Sequence, residues 1–366
     1  MRLLYTIPDF WPFVRRGSER VVHDLGVLLS AAGHDVTVVT RTPGGRATVR
    51  REDGFSTSYR ATHRRVARRL GWSDTEVFAL TAAGASLWRS ADLHHAFYLT
   101  DAFGAAMAGR LRRRPLVVSL HGVPGRDWWE RNHPRTYRWF CRTLELSPCV
   151  TVMSADSAAQ LREHYGYEAV VVTPGVFVSE YRRPRAAEGR VIICAAAVDD
   201  GRKRIHDVLL PAFELLAGED RSVTLLLAGF GDPEYCLRPA LRSLRPETAA
   251  RVVHEPATDL AAAYARSSVG VLTSTVEAFG LVVIEYLAAG LPAVVSDSVA
   301  AADALTPATG AVFPEGDIEA CARAMAAALK LSDDQRTERL CREAAEPFDW
   351  PRRLPAYTDL YESVAR

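Results

Sequence analysis

The chain has 366 residues, of which 48% are hydrophobic and 24% charged, and its formal net charge is +1. This length suggests two domains of ordinary size, and the composition is typical of a globular protein. A balanced charge excludes a global electrostatic attraction to nucleic acid or to an acidic membrane.

Strand-like and helix-like patterns alternate along the first half. A helix is predicted over 19–32, where Val22, Leu25 and Leu29 recur at helical spacing and Gly33 follows its end. The βαβα order predicts a parallel sheet covered by helices on both faces. The predicted strands cover residues 3–7, 35–40, 92–97, 116–120, 150–153 and 169–172.

The composition changes near Tyr181. Residues 182–190 read R-R-P-R-A-A-E-G-R, a polar segment rich in breakers that is typical of an interdomain linker. The alternation then restarts and predicts a second doubly wound domain, whose ligands would bind at the carboxyl ends of its strands. Its predicted strands cover 191–196, 223–228, 251–254, 268–272, 293–296 and 311–313.

Cysteine usage and the N-terminus predict a cytoplasmic protein. The six cysteines are scattered without a C-x2-C pair, which argues against a structural zinc site and fits reduced thiols. Met1 leads directly into a strand-like run without the pattern of a secretory signal peptide. No apolar run approaches the roughly 20 residues that a transmembrane helix needs.

The second half contains a basic segment at a predicted strand-to-helix junction. Residues 199–207 read D-D-G-R-K-R-I-H-D, and Lys203 is one of only two lysines, with Lys330. Cations near a positive helix end are unfavourable without an anion, so Arg202 and Lys203 predict an anion site. The alternative is a solvated basic patch.

The segment with the clearest pattern is 275–292, which reads T-V-E-A-F-G-L-V-V-I-E-Y-L-A-A-G-L-P. Gly290 marks the end of a helix that begins near Gly280, so Glu277 precedes the helix and Glu285 lies within it. The two carboxylates are then roughly 12 Å apart, too far to share a proton but suited to holding two ends of one long ligand. Free N–H groups at the helix start favour an anion between them.

This segment resembles the E-x7-E motif of the retaining GT-B glycosyltransferases, most closely family 4, and the resemblance extends over nearly the whole chain. It implies two Rossmann-like doubly wound domains facing each other across a cleft. The expected domains are an N-terminal acceptor-binding domain over 1–181 and a C-terminal donor-binding domain over 182–347. The last helix, over 348–366, is expected to pack back on the N-terminal domain.

The resemblance implies roles for the residues of the motif. Glu277 is expected to contact the hydroxyls of the donor sugar. The backbone amides of Phe279, Gly280 and Leu281 are expected to bind sugar and diphosphate. Glu285 is expected to hold the ribose hydroxyls. An ordinary helix with two solvated glutamates is the alternative.

Five other positions match the family pattern in part. Lys203 matches a lysine that neutralises the diphosphate, and Arg202 is expected to replace an arginine that usually lies farther upstream. His121, at a strand end, matches a histidine that contacts the donor sugar. Gly17 resembles the glycine loop that opens the first helix, and Gly229 the glycine turn beneath the nucleotide. Taken singly, these features also fit a packed histidine, a plain helix start or an ordinary turn.

The resemblance implies transfer of a sugar from a nucleotide diphosphate sugar to an acceptor hydroxyl with retention of anomeric configuration. UDP is the expected nucleotide, with guanosine and adenosine as alternatives. No cofactor or metal is expected, because Arg202 and Lys203 would supply the positive charge and no D-x-D pattern lies in a suitable place. The alternatives are a phosphorylase or sugar epimerase on the same scaffold, or a nucleotide-sugar sensor without turnover.

The expected partners are a nucleotide sugar and an acceptor, either a small molecule or a lipid-linked one, and no nucleic acid. Arginine clusters at 64–69 and 110–114 are either solvated surface or a peripheral contact with the inner face of an anionic membrane. Another predicted strand end carries Asp92, His94, His95 and Asp101, of which His95 is a candidate without a firm match.

Overall fold

The computed structural model describes residues 1–11, 13–14, 16–42, 46–61, 64–186, 189–256 and 258–366. Part of the predicted linker over 182–190 and the side chains at 64, 66 and 128 lie outside this description. The chain forms two compact units, one of Met1–Pro174 with Arg353–Arg366 and the other of Gly175–Arg352. Each unit is built on its own sheet, which confirms the predicted α/β fold with two doubly wound domains.

The first unit contains, within the described residues, a sheet of eight strands in the spatial order β3-β4-β2-β1-β5-β6-β7-β8. All neighbouring pairs are parallel except β3 and β4. The strands are β1 (Arg2–Thr6), β2 (Asp35–Thr42), β3 (Thr48–Glu52), β4 (Phe55–Ala61), β5 (Leu93–Ala96), β6 (Leu116–Leu120), β7 (Cys149–Val152) and β8 (Val170–Val171).

The antiparallel hairpin of β3 and β4 differs from the entirely parallel sheet that the sequence predicts. Its turn is formed by Asp53 and Gly54, whose φ angles of 55° and 87° lie in the left-handed region. An Asp-Gly pair is strongly preferred in two-residue hairpin turns, because both positions require positive φ. This dipeptide is therefore the local signal from which the hairpin could have been predicted.

The second unit contains, within the described residues, a sheet of six strands in the order β11-β10-β9-β12-β13-β14, with all neighbouring pairs parallel. Every strand predicted from the sequence overlaps an observed strand of one of the two sheets. The strands here are β9 (Arg190–Cys194), β10 (Val223–Ala228), β11 (Val252–Glu255), β12 (Val269–Leu272), β13 (Ala293–Ser296) and β14 (Gly310–Phe313).

Helices connect the strands in both units. Among the described residues, none of them combines the length and apolarity needed to cross a membrane. The helices are α1 (Gly17–Ala31), α2 (Arg64–Leu70), α3 (Asp74–Trp88), α4 (Leu99–Arg112), α5 (Arg126–Asn132), α6 (Pro134–Leu146), α7 (Ala155–Tyr165), α8 (Leu210–Glu219), α9 (Arg238–Leu241), α10 (Pro246–Ala249), α11 (Leu260–Ala265), α12 (Leu281–Ala288), α13 (Ile318–Leu331), α14 (Gln335–Ala345) and α15 (Trp350–Ala365).

The core of the second unit is apolar and lies between its sheet and its helices. Ile192, Leu225 and Val271 of three adjacent strands are fully buried and belong to one cluster with Phe213 of α8 and Met325 of α13. Burial of each such side chain contributes roughly 1.5–3 kcal/mol relative to exposure. This core fixes the strand ends from which the loops of the candidate site emerge.

A buried polar network in the first unit includes the end of α15. The Tyr361 hydroxyl lies 2.9 Å from the Tyr5 hydroxyl and 2.7 Å from Nδ1 of His95, whose Nε2 lies 2.7 Å from Oγ of Ser119. Burial lowers the pKa of His95 well below its usual value, so the ring is neutral. Since both ring nitrogens are satisfied within the core, His95 has a structural role.

The two ends of the second unit are fastened to each other. The backbone N–H of Val176 donates to the carbonyl of Phe348, and that of Trp350 donates to the carbonyl of Val176, both at 3.0 Å. The N–H of Val178 donates to Oδ1 of Asp349 at 3.1 Å. Trp350, which is fully buried, anchors this junction between the first and last segments of the unit.

Replacement of Gly270 in β12 by alanine is expected to destabilise the second unit. A Cβ there would lie 2.2 Å from the ring of Tyr286, which is fully buried and has no room to move. Overpacking of this kind typically costs about 1–3 kcal/mol, so the denaturant midpoint of the second unit should fall.

Gly218→Ala in α8 is the matched control, because its new Cβ would meet only the end of the Arg245 side chain, at 3.0 Å. A midpoint for Gly270→Ala equal to that of Gly218→Ala would show that the β12 backbone tolerates a side chain facing Tyr286.

Candidate functional site

The second sheet changes direction at β9. The chain runs from β9 to β10 on one side and later returns to place β12 on the other side. The carboxyl ends of strands at such a switch point leave a crevice in which ligands bind in open α/β sheets. The loop after β9 carries Lys203 and the loop after β12 carries Glu277, so both lie at this crevice.

Lys203 and Glu277 form an ion pair between the two loops. The Nζ atom of Lys203 contacts Oε1 of Glu277, and their side chains are 19% and 18% exposed. The loops are also joined through their backbones, since Oγ1 of Thr273 donates to the carbonyl of Lys203 at 2.7 Å and the N–H of Thr275 donates to that of Arg202 at 2.9 Å. The structure thus brings together two of the predicted catalytic residues.

Ser274 orients the Glu277 carboxylate. Its hydroxyl donates to Oε1 of Glu277 at 3.0 Å, and the serine is fully buried. The carbonyl of Ser274 in turn accepts hydrogen bonds from the hydroxyls of Ser296 and Ser298, at 2.5 and 2.8 Å. These hydrogen bonds hold the loop and fix the orientation of the carboxylate. A group that binds a ligand in one orientation needs such support.

Arg202 lies on the same loop as Lys203 but is bound elsewhere. Its guanidinium is an exposed group that donates to both carboxylate oxygens of Asp200, at 3.0 and 2.7 Å. Lys203 supplies a positive charge next to the Glu277 carboxylate. The role of Arg202 at a leaving group stays a prediction.

Helix α12 begins and ends where the glycines predict. Gly280 is its N-cap with φ of 100°, a left-handed conformation in which a side chain would be strained, and no side chain caps the helix. Phe279, just before it, is 7% exposed, and Leu281 is the first helical residue. The N–H groups of a helix start have no partner within the helix, so they can bind an anion.

Glu285 is a buried carboxylate in the interior of α12. The residue is only 6% exposed, and its Oε2 accepts a hydrogen bond of 2.7 Å from the hydroxyl of Tyr264. A buried carboxylate without such bonds would be costly. The alternative of two solvated glutamates on an ordinary helix is therefore wrong for Glu285.

Gly229, at the end of β10, is explained by backbone packing. A Cβ at this position would lie 1.7 Å from the carbonyl oxygen of Ala196. The N–H of Gly229 donates to the carbonyl of Glu255 at 3.0 Å. The carbonyl oxygen of Gly229 lies 3.2 Å from Nε2 of His254. The glycine is required by the fold, and a contact with a nucleotide stays a prediction.

The first sheet has its own switch point between β1 and β5. Gly17 begins α1 after β1, and a Cβ there would have no atom within 4 Å, so the described residues leave open space beside it. Arg15, at the start of the predicted glycine loop, lies outside the described residues. His121 directly follows β6, the neighbour of β5.

His121 is partly buried, and its imidazole has no hydrogen-bond partners among the described residues. Both ring nitrogens are inaccessible and unpaired, and the ring packs edge-on against Phe97 at 6.1 Å between centroids. Burial lowers its pKa to about 4, so the ring is neutral at neutral pH. Unpaired buried polar groups are uncommon and often mark a site that a ligand completes.

A second unpaired group lies at the adjacent strand end. Asp101 is fully buried, and its Oδ2 accepts hydrogen bonds from the Thr6 hydroxyl at 2.8 Å and the N–H of Phe97 at 3.1 Å. Its Oδ1 has no partner among the described residues. Burial raises the pKa of this carboxyl to about 8, so it is mostly protonated at neutral pH.

The hydroxyl residues that support the two glutamates have no recognisable signal in the sequence. Ser274 and Tyr264 each donate to a carboxylate, and Thr273 joins the loops that bear Lys203 and Glu277. Serine, threonine and tyrosine are common throughout the chain, and no local spacing connects Tyr264 with Glu285. Only the folded structure, which brings α11 and the loop after β12 to these carboxylates, reveals the contacts. Within the described residues, no group of three or more His, Cys, Asp or Glu could hold a metal ion.

Comparisons with known proteins cover most of the chain. Residues 15–180 match the family model described as Glycosyltransferase Family 4, and residues 179–346 match the model described as Glycosyl transferases group 1. A glycogen synthase from Mycobacterium tuberculosis is 28% identical, over 100% of this chain and 95% of the relative.

Solved structures match over the whole length. A sucrose-phosphate synthase from Thermosynechococcus elongatus has a TM-score of 0.79 at 20% identity and covers 100% of this chain and 99% of its own. HepE from Anabaena, in complex with UDP-glucose, has a TM-score of 0.74 at 18% identity and covers 99% of this chain and 100% of its own. Both likenesses concern the fold.

His121→Gln is expected to reduce the loss of stability in acid. The folded protein disfavours the protonated ring, so the neutral ring contributes to the free energy of unfolding. This contribution is fully present above the usual pKa near 6.5 and is lost as the pH falls toward 4. The loss due to His121 amounts to at most about 3 kcal/mol, since one pKa unit corresponds to about 1.4 kcal/mol. Urea unfolding at several pH values measures it.

The control is His164→Gln, which changes an exposed histidine on α7 of the same unit and should keep the wild-type pH dependence. Identical pH profiles for His121→Gln and the wild type would contradict the buried, neutral ring.

Proposed function

The chain belongs to glycosyltransferase family 4 and has the GT-B fold, and on this premise we propose that it transfers a sugar from a nucleotide diphosphate sugar to an acceptor hydroxyl. The observation that carries the proposal is the Lys203–Glu277 ion pair at the switch point of the second sheet, three residues before the uncapped start of α12. A nucleotide diphosphate sugar carries a negative diphosphate and a sugar with hydroxyl groups. The cation and the N–H groups of the helix start suit the diphosphate, and the fixed carboxylate suits the hydroxyls.

Each part of the donor has a proposed partner. Glu277 accepts hydrogen bonds from the sugar hydroxyls, and Glu285 holds the ribose. The amides of Phe279, Gly280 and Leu281 bind the sugar and the diphosphate, as a helix start favours an anion. Lys203 exchanges part of its contact with Glu277 for the diphosphate, whose charge grows as the sugar leaves.

The proposed step breaks the bond between the anomeric carbon and the diphosphate oxygen, which keeps the electron pair. The acceptor oxygen forms the new bond to the same face of that carbon, so the configuration is retained, and its proton passes to the departing phosphate. Lys203, assisted by Arg202 once it leaves Asp200, stabilises the developing charge. His121, neutral and with unpaired ring nitrogens, binds a hydroxyl of the donor sugar.

The proposed donor is a UDP-sugar, and HepE, which has the same fold, binds UDP-glucose. A thermal-shift series with UDP, ADP and GDP and their glucose conjugates tests the nucleotide. A ligand at a hundred times its Kd adds about 2.7 kcal/mol to stability. The absence of any shift across this series would overturn the proposal.

Lys203→Ala is expected to lower kcat by at least roughly a hundredfold, because the fixed cation acts mainly in the transition state. Release of the nucleoside diphosphate from the donor identified above, with and without acceptor, measures it. Lys330→Ala is the matched control, since Lys330 is the other lysine of the chain and is exposed on α13. Equal activity of the two variants would remove Lys203 from the reaction.

We further propose that the protein binds peripherally to a membrane, where it can reach a lipid-linked acceptor. Trp88 and Leu111, at the ends of α3 and α4, are 78% and 77% exposed. The two ends are joined, since Nη2 of Arg114 donates to the carbonyl of Arg89 at 2.5 Å. The arginines of 110–113 are exposed, so apolar and basic groups occur together, as binding to an anionic bilayer requires.

The double variant Trp88→Ser, Leu111→Ser is expected to bind phosphatidylglycerol vesicles at least roughly tenfold more weakly than the wild type, because it removes two apolar side chains that would enter the bilayer. Vesicle sedimentation measures the binding. Val49→Ser, at an exposed position of β3 in the same unit, should bind as the wild type does. No binding of the wild type, or equal binding of the double variant, would refute the membrane contact.

A further inference from the structure

The Glu285 carboxylate is held by a buried tyrosine that the reaction itself does not use. Tyr264 of α11 is fully buried, and its hydroxyl donates to Oε2 of Glu285 at 2.7 Å. Hydrogen bonds to an ionised group are shorter and stronger than neutral ones. A carboxylate has about four acceptor positions on its two oxygens, so this bond contributes to fixing the group and occupies one of them.

The position of Tyr264 is set by aromatic packing on both sides. Its ring lies edge-on against Tyr286 at 5.3 Å and tilted against Tyr181 at 5.6 Å between centroids. Tyr286 is fully buried as well, so its ring keeps its place against Tyr264. The hydroxyl of Tyr264 therefore has little freedom to follow a moving carboxylate.

Tyr264 also stays a donor at every working pH. Burial, together with the neighbouring charge of Glu285, raises the pKa of its hydroxyl well above the usual value. A neutral donor has an advantage over a cation at this place. It orients the carboxylate without neutralising it, so the charge remains available for the hydroxyls of a ligand.

We propose that Tyr264 is a positioning residue for the nucleotide, which sets the orientation of the Glu285 carboxylate so that it recognises the ribose diol. The inference rests on the proposed function, because it takes Glu285 as the group that meets the ribose. It assigns Tyr264 no contact with the donor. Its effect is therefore confined to ligands that carry the diol.

The experiment compares the binding of nucleoside diphosphates with and without the ribose hydroxyls. The probes are UDP, ADP and GDP, each with its 2′,3′-dideoxy analogue, titrated by calorimetry into the full chain below the lowest unfolding midpoint of the variants. The wild type should bind one of these diphosphates at least roughly tenfold more tightly than its dideoxy analogue, because Glu285 would otherwise lose its partners. Glu285→Gln should abolish most of that preference.

Tyr264→Phe should weaken binding of the same diphosphate roughly three- to tenfold and leave the affinity for the dideoxy analogue within about twofold, because only the diol depends on the orientation of the carboxylate. Tyr286→Phe is the matched control. It removes another buried tyrosine hydroxyl from the same cluster, one that bonds to backbone groups, and should keep the wild-type preference for the diol.

The outcomes separate the two claims. If the wild type binds no diphosphate, or if Glu285→Gln keeps the full preference, the proposed ribose contact is wrong and the role of Tyr264 falls with it. If Glu285→Gln loses the preference but Tyr264→Phe keeps it, the ribose contact stands and the positioning role is overturned. Equal losses for the diphosphate and its dideoxy analogue in Tyr264→Phe would also overturn it, because they indicate a merely structural residue.

Discussion

The candidate site of the second unit is organised around the ion pair between Lys203 and Glu277. A partly buried cation or carboxylate would be unfavourable alone, so each requires the other while no ligand is bound. The pair holds together the loops that follow β9 and β12, where the sheet changes direction. The same two charges are the ones that a diphosphate and a sugar hydroxyl would engage. The attraction between Lys203 and Glu277 thus preorganises the site, and a bound sugar donor would replace part of that attraction with its own contacts.

Much of this arrangement follows from local sequence. The parallel strands are apolar runs because both faces of the sheet are covered, and Gly280 and Gly290 delimit α12 because each has a positive φ. The positions of Lys203 and Glu277 after neighbouring strand ends follow from the βα order. The hairpin of β3 and β4 has its signal in Asp53 and Gly54, yet the alternation of strands and helices favours a parallel connection instead.

Other parts depend on contacts between distant segments, which one sequence does not encode locally. Arg202 and Lys203 are adjacent, but Asp200 binds one and Glu277 the other, and this partition depends on how the two loops meet. Gly229 resembles a ligand-binding glycine, whereas the carbonyl of Ala196 already requires it. The hydroxyls of Ser274 and Tyr264 become meaningful only beside the carboxylates they orient. The inaccessible ring nitrogens of His121 and the burial of Asp101 are likewise properties of the folded first unit.

The junction of Val176 with Phe348 and Trp350 has an evolutionary implication. It joins the first and last segments of Gly175–Arg352, one uninterrupted stretch that forms a compact unit. Such a stretch has the topology of an insertion, with its entry and its exit side by side. A recombination event could therefore exchange it as a cassette between genes without cutting either sheet, so that one scaffold acquires a new specificity in a single step.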